Sequence, residues 1–409
     1  MKFICNTKAL KLATETLAKL ISGKKDQTQT VSLFAQDNCL FLKVNITAEP
    51  ISQIITVVYK IHGKNDLKVI TEGYISVDID NLVNALTLAK GKFIKINLNN
   101  KFLYIKYAKG NKVAISAYVK PEYAVTQKFG LDTKYVIDID DFNELKENIN
   151  TATSSINADL KFVDSNLLLR VKNDVMEIIG TNRRILTKVL HVIPVNTFDN
   201  EELLIPPTFI KILNKLTPKS VKTKSCILKF DAHNISLEFN DIIMTTILVN
   251  SPNYPNYDAV LDLISVAELD INTETLRNTL KKLKKTTDSE KYIQFHIDKH
   301  DISDVQMWIY DEENKYQSND FGVNYYKKFF DFTGKVSVQE VRENKSKESD
   351  NDTLKLEMFL CHLQDILKVY KMTTITFELL SLDKPDKEIY AIRIKQGESI
   401  KHIIIADMI

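Results

Sequence analysis

His296 and His300 stand four residues apart, the spacing by which two helical histidines share one zinc ion. Here they bracket Ile-Asp-Lys in a strand-like run. Period two would put both on one face, too far apart to hold a metal together. The remaining histidines are scattered and HExxH is absent. Asp138, Asp140 and Asp141 are the kind of acidic group a two-metal nuclease uses. Their place ahead of an amphipathic run reads instead as a cap and first-turn acids. There is no GxxxxGK[ST], GxGxxG or GxSxG, so phosphate loops and a nucleophile elbow lack support. The stretch Ser-Gly-Lys-Lys-Asp around Gly23 has no upstream glycine to start a phosphate loop. Cys5, Cys39, Cys226 and Cys361 form no CxxC, which argues against a zinc ribbon or disulfide framework and for a reduced, cytoplasmic setting. No catalytic residue, metal or cofactor is expected.

The chemistry that remains is charge on helices. Lys plus Arg is 55 against 53 Asp plus Glu, a net of +2. That excludes a uniformly basic coat but not local basic faces. Arg277, Lys281, Lys284 and Lys285 fall on one helical face, opposite Leu276, Leu280 and Leu283. Other helical stretches supply Lys8, Lys11, Lys19, Lys24 and Lys25, then Lys90, then Lys211 and Lys215, then Lys368. Lysine is a point charge on a flexible stem and attracts phosphate without reading bases. The helix at 140–152, with Asp140, Asp141, Glu144 and Glu147, is the exception.

These side chains need elements to hold them. A length of 409 residues suggests two to four domains, and 44% hydrophobic residues suits a soluble globular chain. No apolar run approaches 18 residues and no signal-peptide core opens the chain, so no membrane association is expected. Strand runs such as FIKINLNN, KFLYIKYAKG and KVAISAYV alternate with period two, as antiparallel hairpins do. Helices are predicted from Thr7 to Ile21 with Asn6 as cap, after Asp78 or Asp80, over 140–152, from Pro207, over 273–285, and around Leu363, Ile366 and Leu367. The first helices of the three thirds begin near Thr7, Asp140 and Thr273, about 133 residues apart, a repeat of whole domains. The expected fold is α+β: three similar domains of antiparallel sheet plus two helices each, at 1–128, 129–258 and 259–409. The last carries a charged insertion around 299–353, within which VRENKSKESDNDTLK reads as a mobile surface loop.

This order resembles the β-type sliding clamp of bacterial DNA polymerase III over essentially the whole chain. MKFICNTKALKLATETLAKLI is similar to that family's first strand and helix. GTNRRILTKVL resembles its middle-domain A-T-D-G-[HR]-R-L-A, with Asn182 for the Asp and one position, taken as the Gly, missing. NSPNYPNYDAVL resembles a segment ending F-P-D-Y plus an apolar residue, and IIIADMI stands where the family has its terminal strand and Met-Pro-Met-Arg-Leu-like tail.

The resemblance implies the DNA clamp fold, with two chains closing head to tail into a ring, helices lining the hole and no enzymatic activity. Implied partners are double-stranded DNA, a second copy, a replicative polymerase, a clamp loader and proteins with short clamp-binding motifs. A peptide cleft between the middle and last repeats would use Val163, Thr181, Arg184, Ile185, Pro255 and Val260, with Tyr292, His362, Ile403, Ile405 and Met408. The ring joint would pair edge strands flanked by Lys101, Lys106 and Lys109 on one chain and Asp311, Glu312 and Glu313 on the other. Two alternatives stay open: a monomeric replication scaffold of the same fold, and a metal-dependent nuclease with a dispersed site.

Overall fold

The computed structural model describes residues 1–21, 29–48, 53–63, 66–99, 101–118, 129–156, 165–194, 201–217, 223–250, 254–255, 257–286, 292–298, 304–310, 326–333, 335–337, 353–368, 370, 372–381, 389–396 and 400–405. Of the charged run at 341–355, residues 341–352 lie outside them, while its last three, Thr353, Leu354 and Lys355, belong to the strand Thr353–Phe359 and not to a loop. The chain forms two compact units. One is Met1–Lys146 with Ile193–Asp199 and Leu203–Asn250; the other is Glu147–Val192 with Asn200–Glu202 and Ser251–Ile409.

Three helices have clear local causes, two within the first unit and a third whose residues pass from the first unit to the second after Lys146. The Asn6 side chain accepts the Lys8 N–H at 2.9 Å and starts α1 (Thr7–Ile21), whose Leu10, Ala13, Leu17 and Leu20 are buried. Asp78 accepts the Asn81 N–H at 2.8 Å and starts α2 (Ile79–Leu88). The third helix, α3 (Phe142–Thr153), begins where Asp141 accepts the N–H groups of Asn143 and Glu144 at 2.9 and 3.0 Å. The acidic group at 138–141 thus includes a helix cap. A fourth helix, α4 (Pro207–Leu216), has proline in its first turn, where a missing N–H costs nothing. Both α2 and α4 pack against α1.

The sheet of the first unit runs, neighbour to neighbour, through Tyr135–Ile139, Cys226–Phe230, Asn234–Phe239, Ile242–Ile247, Gln53–His62, Cys39–Ala48, Thr30–Gln36, Gly73–Asp78, Lys112–Tyr118, Phe102–Lys106, Phe93–Asn99, Lys2–Asn6 and Leu67–Thr71. Met244 stands opposite Val57, so strands of the middle third continue the sheet of the first third.

The second unit repeats that join. Ile185–Val192 pairs with Ile400–Ile405, Thr187 opposite His402, and the sheet continues through Ile389–Gln396, Thr374–Ser381 and Ile264–Asn272. The two compact units therefore cut across the middle third, because each takes one of its sheets. A single helical turn, α5 (Asp258–Leu261), precedes α6 (Thr273–Thr286); α7 (Leu360–Leu367) packs beside α6. Leu276, Leu280, Leu363, Ile366 and Leu367 are buried, as their spacing predicts.

The strands expected at the ring joint need correction. Phe102–Lys106 is interior, bonded to Phe93–Asn99 on one side and Lys112–Tyr118 on the other. Asp304–Tyr310 is interior too, between Tyr292–Asp298 and Tyr326–Thr333. Amphipathic alternation marks a strand but not its neighbours, so sequence could not tell edge from interior. Lys112–Tyr118 is the more open strand: Gly73–Asp78 reaches it only at Ala117 and Tyr118.

Candidate nucleic-acid interface and peptide cleft

The fifth residue of α1, α3 and α6 is basic: Lys11, Lys146 and Arg277. Each reaches the carbonyls that end another helix. Lys11 Nζ lies 3.4 Å from the Ala89 carbonyl, at the C-cap of α2. Lys146 Nζ donates to the carbonyl of Thr217, the C-cap of α4. Arg277 donates to the Leu367 carbonyl from Nε (3.2 Å) and Nη2 (2.8 Å), and to the Tyr370 carbonyl, at the end of α7. The last carbonyls of a helix lack partners and form the negative end of its dipole, so a cation there answers both needs.

This changes the reading of two cations expected at DNA. The Arg277 guanidinium is committed to carbonyls, and Lys11 is drawn toward one. Sequence reasoning missed Lys146; its signal was the fifth-residue position it shares with Lys11 and Arg277. Lys8, Lys19, Lys90, Lys211, Lys215, Lys281 and Lys368 are exposed, and Lys368 Nζ lies 2.5 Å from Asp365. Lys24 and Lys25 lie outside the described residues, and so do the side chains of Lys284 and Lys285 on α6.

Of the expected cleft residues, the structure describes six side chains. Thr181 is buried, its hydroxyl donating to the Ile185 carbonyl at 2.8 Å and accepting the Arg183 N–H at 3.0 Å. Asn182 Oδ1 accepts from the N–H groups of Arg184 (3.0 Å) and Ile185 (2.7 Å). These bonds fix a tight turn in which Arg183 has φ +73°, the left-handed region that glycine enters most easily. Arg183 thus has a glycine-like conformation. Arg184 is exposed, whereas Ile185 and Ile403 are buried on the paired strands. Pro255 and Val260 are half-buried. Val163 and Met408, and the side chains of Tyr292, His362 and Ile405, lie outside the described residues.

Arg170 holds this region. It reaches Asp258 at the start of α5 (3.2 Å) and Glu202 (2.8 Å), and lies 4.8 Å from the Tyr257 ring centre. Burial alone would lower its pKa; hydrogen bonds to Asp258 and Glu202 and the nearby negative charges raise it above the ordinary value. The turn bearing Val260 is thereby tied to the strand Leu167–Lys172.

Of the joint residues, Lys101 and Lys106 are exposed. The Lys109 side chain and Asp311, Glu312 and Glu313 lie outside the described residues. Among the described residues no group of three His, Cys, Asp or Glu side chains comes together, and no helix is long and apolar enough to cross a membrane.

No known protein-family pattern and no curated relative matches the sequence. Solved structures do match its fold. A DNA polymerase sliding clamp from Bacillus subtilis is 12% identical with TM-score 0.74, covering 100% of this chain and 99% of its own. The DNA polymerase III subunit beta from Pseudomonas aeruginosa is 13% identical with TM-score 0.75, and both chains are covered completely. The beta subunit of DNA polymerase from Streptococcus pyogenes is 14% identical with TM-score 0.72, again over all of both chains. The chain has the sliding-clamp fold.

Proposed function

We propose that this chain is a DNA sliding clamp, a processivity factor and not an enzyme, built from three repeats at about 1–128, 129–258 and 259–409. The observation that carries the reading is the end-to-end match of the fold to clamp subunits, with nothing of either chain left over. Two copies close head to tail into a ring around duplex DNA. Lys8, Lys19, Lys90, Lys211, Lys215, Lys281 and Lys368 supply phosphate attraction from the helices, and Lys24, Lys25, Lys284 and Lys285 add to the positive charge. Such interactions are sequence-indifferent and leave the ring free to slide. Retention is topological: a closed ring leaves DNA only by opening or by running off an end, so a tethered partner gains effective concentration at the template.

The cleft around Thr181, Arg184, Pro255 and Val260 takes short peptides with apolar anchors, carried by a replicative polymerase, a clamp loader and repair proteins in the cytoplasm. The joint uses the open strand Lys112–Tyr118, with Lys101 and Lys109 nearby, against the acidic Asp311, Glu312 and Glu313.

Light scattering at micromolar concentration, followed by loader-assisted retention on nicked circular DNA, tests the proposal. A mass of two chains and retention that is lost when the circle is linearised are expected. A stable monomer that leaves circular and linear DNA equally fast would replace the ring with a monomeric scaffold of the same fold.

A further inference from the structure

We propose that the sheet face of the first unit that points away from its helices is a docking platform for single-stranded nucleic acid. Five adjacent strands form it: Leu67–Thr71, Lys2–Asn6, Phe93–Asn99, Phe102–Lys106 and Lys112–Tyr118. Side chains alternate between faces. One side holds Phe3, Ile94, Ile96, Leu103 and Ile105, all buried. The other has a different chemistry.

Lys68 stands opposite Ile4, Ile4 opposite Lys95, Lys95 opposite Lys106, and Lys106 opposite Lys112. Four lysines thus share one row across five strands spaced about 4.8 Å apart, and all four are exposed. Lys2 lies on the same face in the next row, opposite Asn97. None of the five strands contains an Asp or Glu. Asp66, just before the strand at Leu67, is hydrogen-bonded by Asn6 at 2.6 Å.

Register separates this face from an ordinary solvated one. Like charges directly opposite each other cost stability, and a chain with 53 acidic residues has the means to avoid them. Aromatic rings lie among the ammonium groups. Phe93 and Phe102 are each 44% exposed, and Lys112 Nζ sits 5.8 Å from the Tyr104 ring centre. Stacking rings beside phosphate-seeking cations suit a strand with unpaired bases. Duplex DNA offers no free base faces to these rings, and an acidic peptide would use only the lysines. The inference holds whether or not two chains close a ring.

Fluorescence anisotropy of a labelled oligothymidylate of about 20 nucleotides, titrated with the full chain over a salt series, tests it. The Lys68→Gln/Lys95→Gln variant should lower the slope of log affinity against log salt by about 1.4, roughly 0.7 for each phosphate no longer neutralised. Phe102→Ala should weaken binding at least about fivefold at unchanged slope. Neither lysine lies on the open strand Lys112–Tyr118, so the variant should keep its mass in light scattering. Its melting temperature should hold or rise, because like charges have been removed. Retention on circular duplex should persist, which separates this inference from the clamp proposal. An unchanged slope in the double variant would overturn the platform. So would polyglutamate competing as well as the oligonucleotide while Phe102→Ala is silent, since that marks an acidic-peptide site.

Discussion

Arg277 on α6 holds the main-chain carbonyl of Leu367, the last residue of α7, with two donors at 2.8 and 3.2 Å. The equivalent residues Lys11 and Lys146 reach the ends of α2 and α4. One device therefore recurs three times at one position of the repeat. It uses a cation to fasten a helix pair rather than to meet phosphate.

Arg277→Met should accordingly cost stability and leave DNA binding alone. Losing hydrogen bonds from a charged donor is worth about 1.5–3 kcal/mol, readable by urea denaturation. The salt slope of duplex binding should not move. Lys281→Gln should do the reverse, lowering that slope by about 0.9 with little change in stability. A slope loss in Arg277→Met at wild-type stability would return Arg277 to the phosphate face.

Gly180 leaves no room for a side chain. A Cβ there would stand 2.1 Å from the Ala152 carbonyl oxygen, a backbone atom at the end of α3. Gly180→Ala should destabilise by about 1–3 kcal/mol or more, seen as a lower denaturation midpoint at unchanged m-value.

Arg183 occupies left-handed backbone at φ +73°. Glycine and alanine remove its side chain equally and differ in the cost of that conformation. Arg183→Gly should therefore be more stable than Arg183→Ala by about 1 kcal/mol. Equal melting temperatures would mean that the turn relaxes on truncation.

His402 is fully buried where the middle and last thirds join their sheets. Its Nδ1 lies 2.7 Å from the Thr187 hydroxyl, and Nε2 has no hydrogen-bond partner among the described residues. Burial pushes its pKa from 6.5 down to about 3. Between these values the unfolded chain binds the proton and the folded chain does not. The stability that neutral His402 allows is thus complete above about pH 6.5 and is lost progressively as pH falls toward 3. By pH 5 the loss from this residue should be about 2 kcal/mol. His402→Gln should flatten the stability profile between pH 7 and 5 by that amount, measured by denaturant midpoints at each pH.

The elements and their repetition are legible in one dimension. Leu10, Leu17, Leu276 and Leu280 sit on 3.6-residue stripes and are buried; Asn6, Asp78 and Asp141 cap helices because their short side chains reach the first free N–H groups. Such causes act within a few residues, so neighbouring residues suffice to reveal them. Which strand lies beside which is not local. Phe102–Lys106 alternates as an edge strand would, yet it is interior, since pairing depends on segments far away in the chain. Arg277 shows the same limit. Its helical wheel gives a face, while its target, Leu367, is 90 residues distant. The row from Lys68 to Lys112 likewise exists only once five strands have taken their register. Long-range pairing and packing therefore select which cations fasten helices and which stand together on an open face.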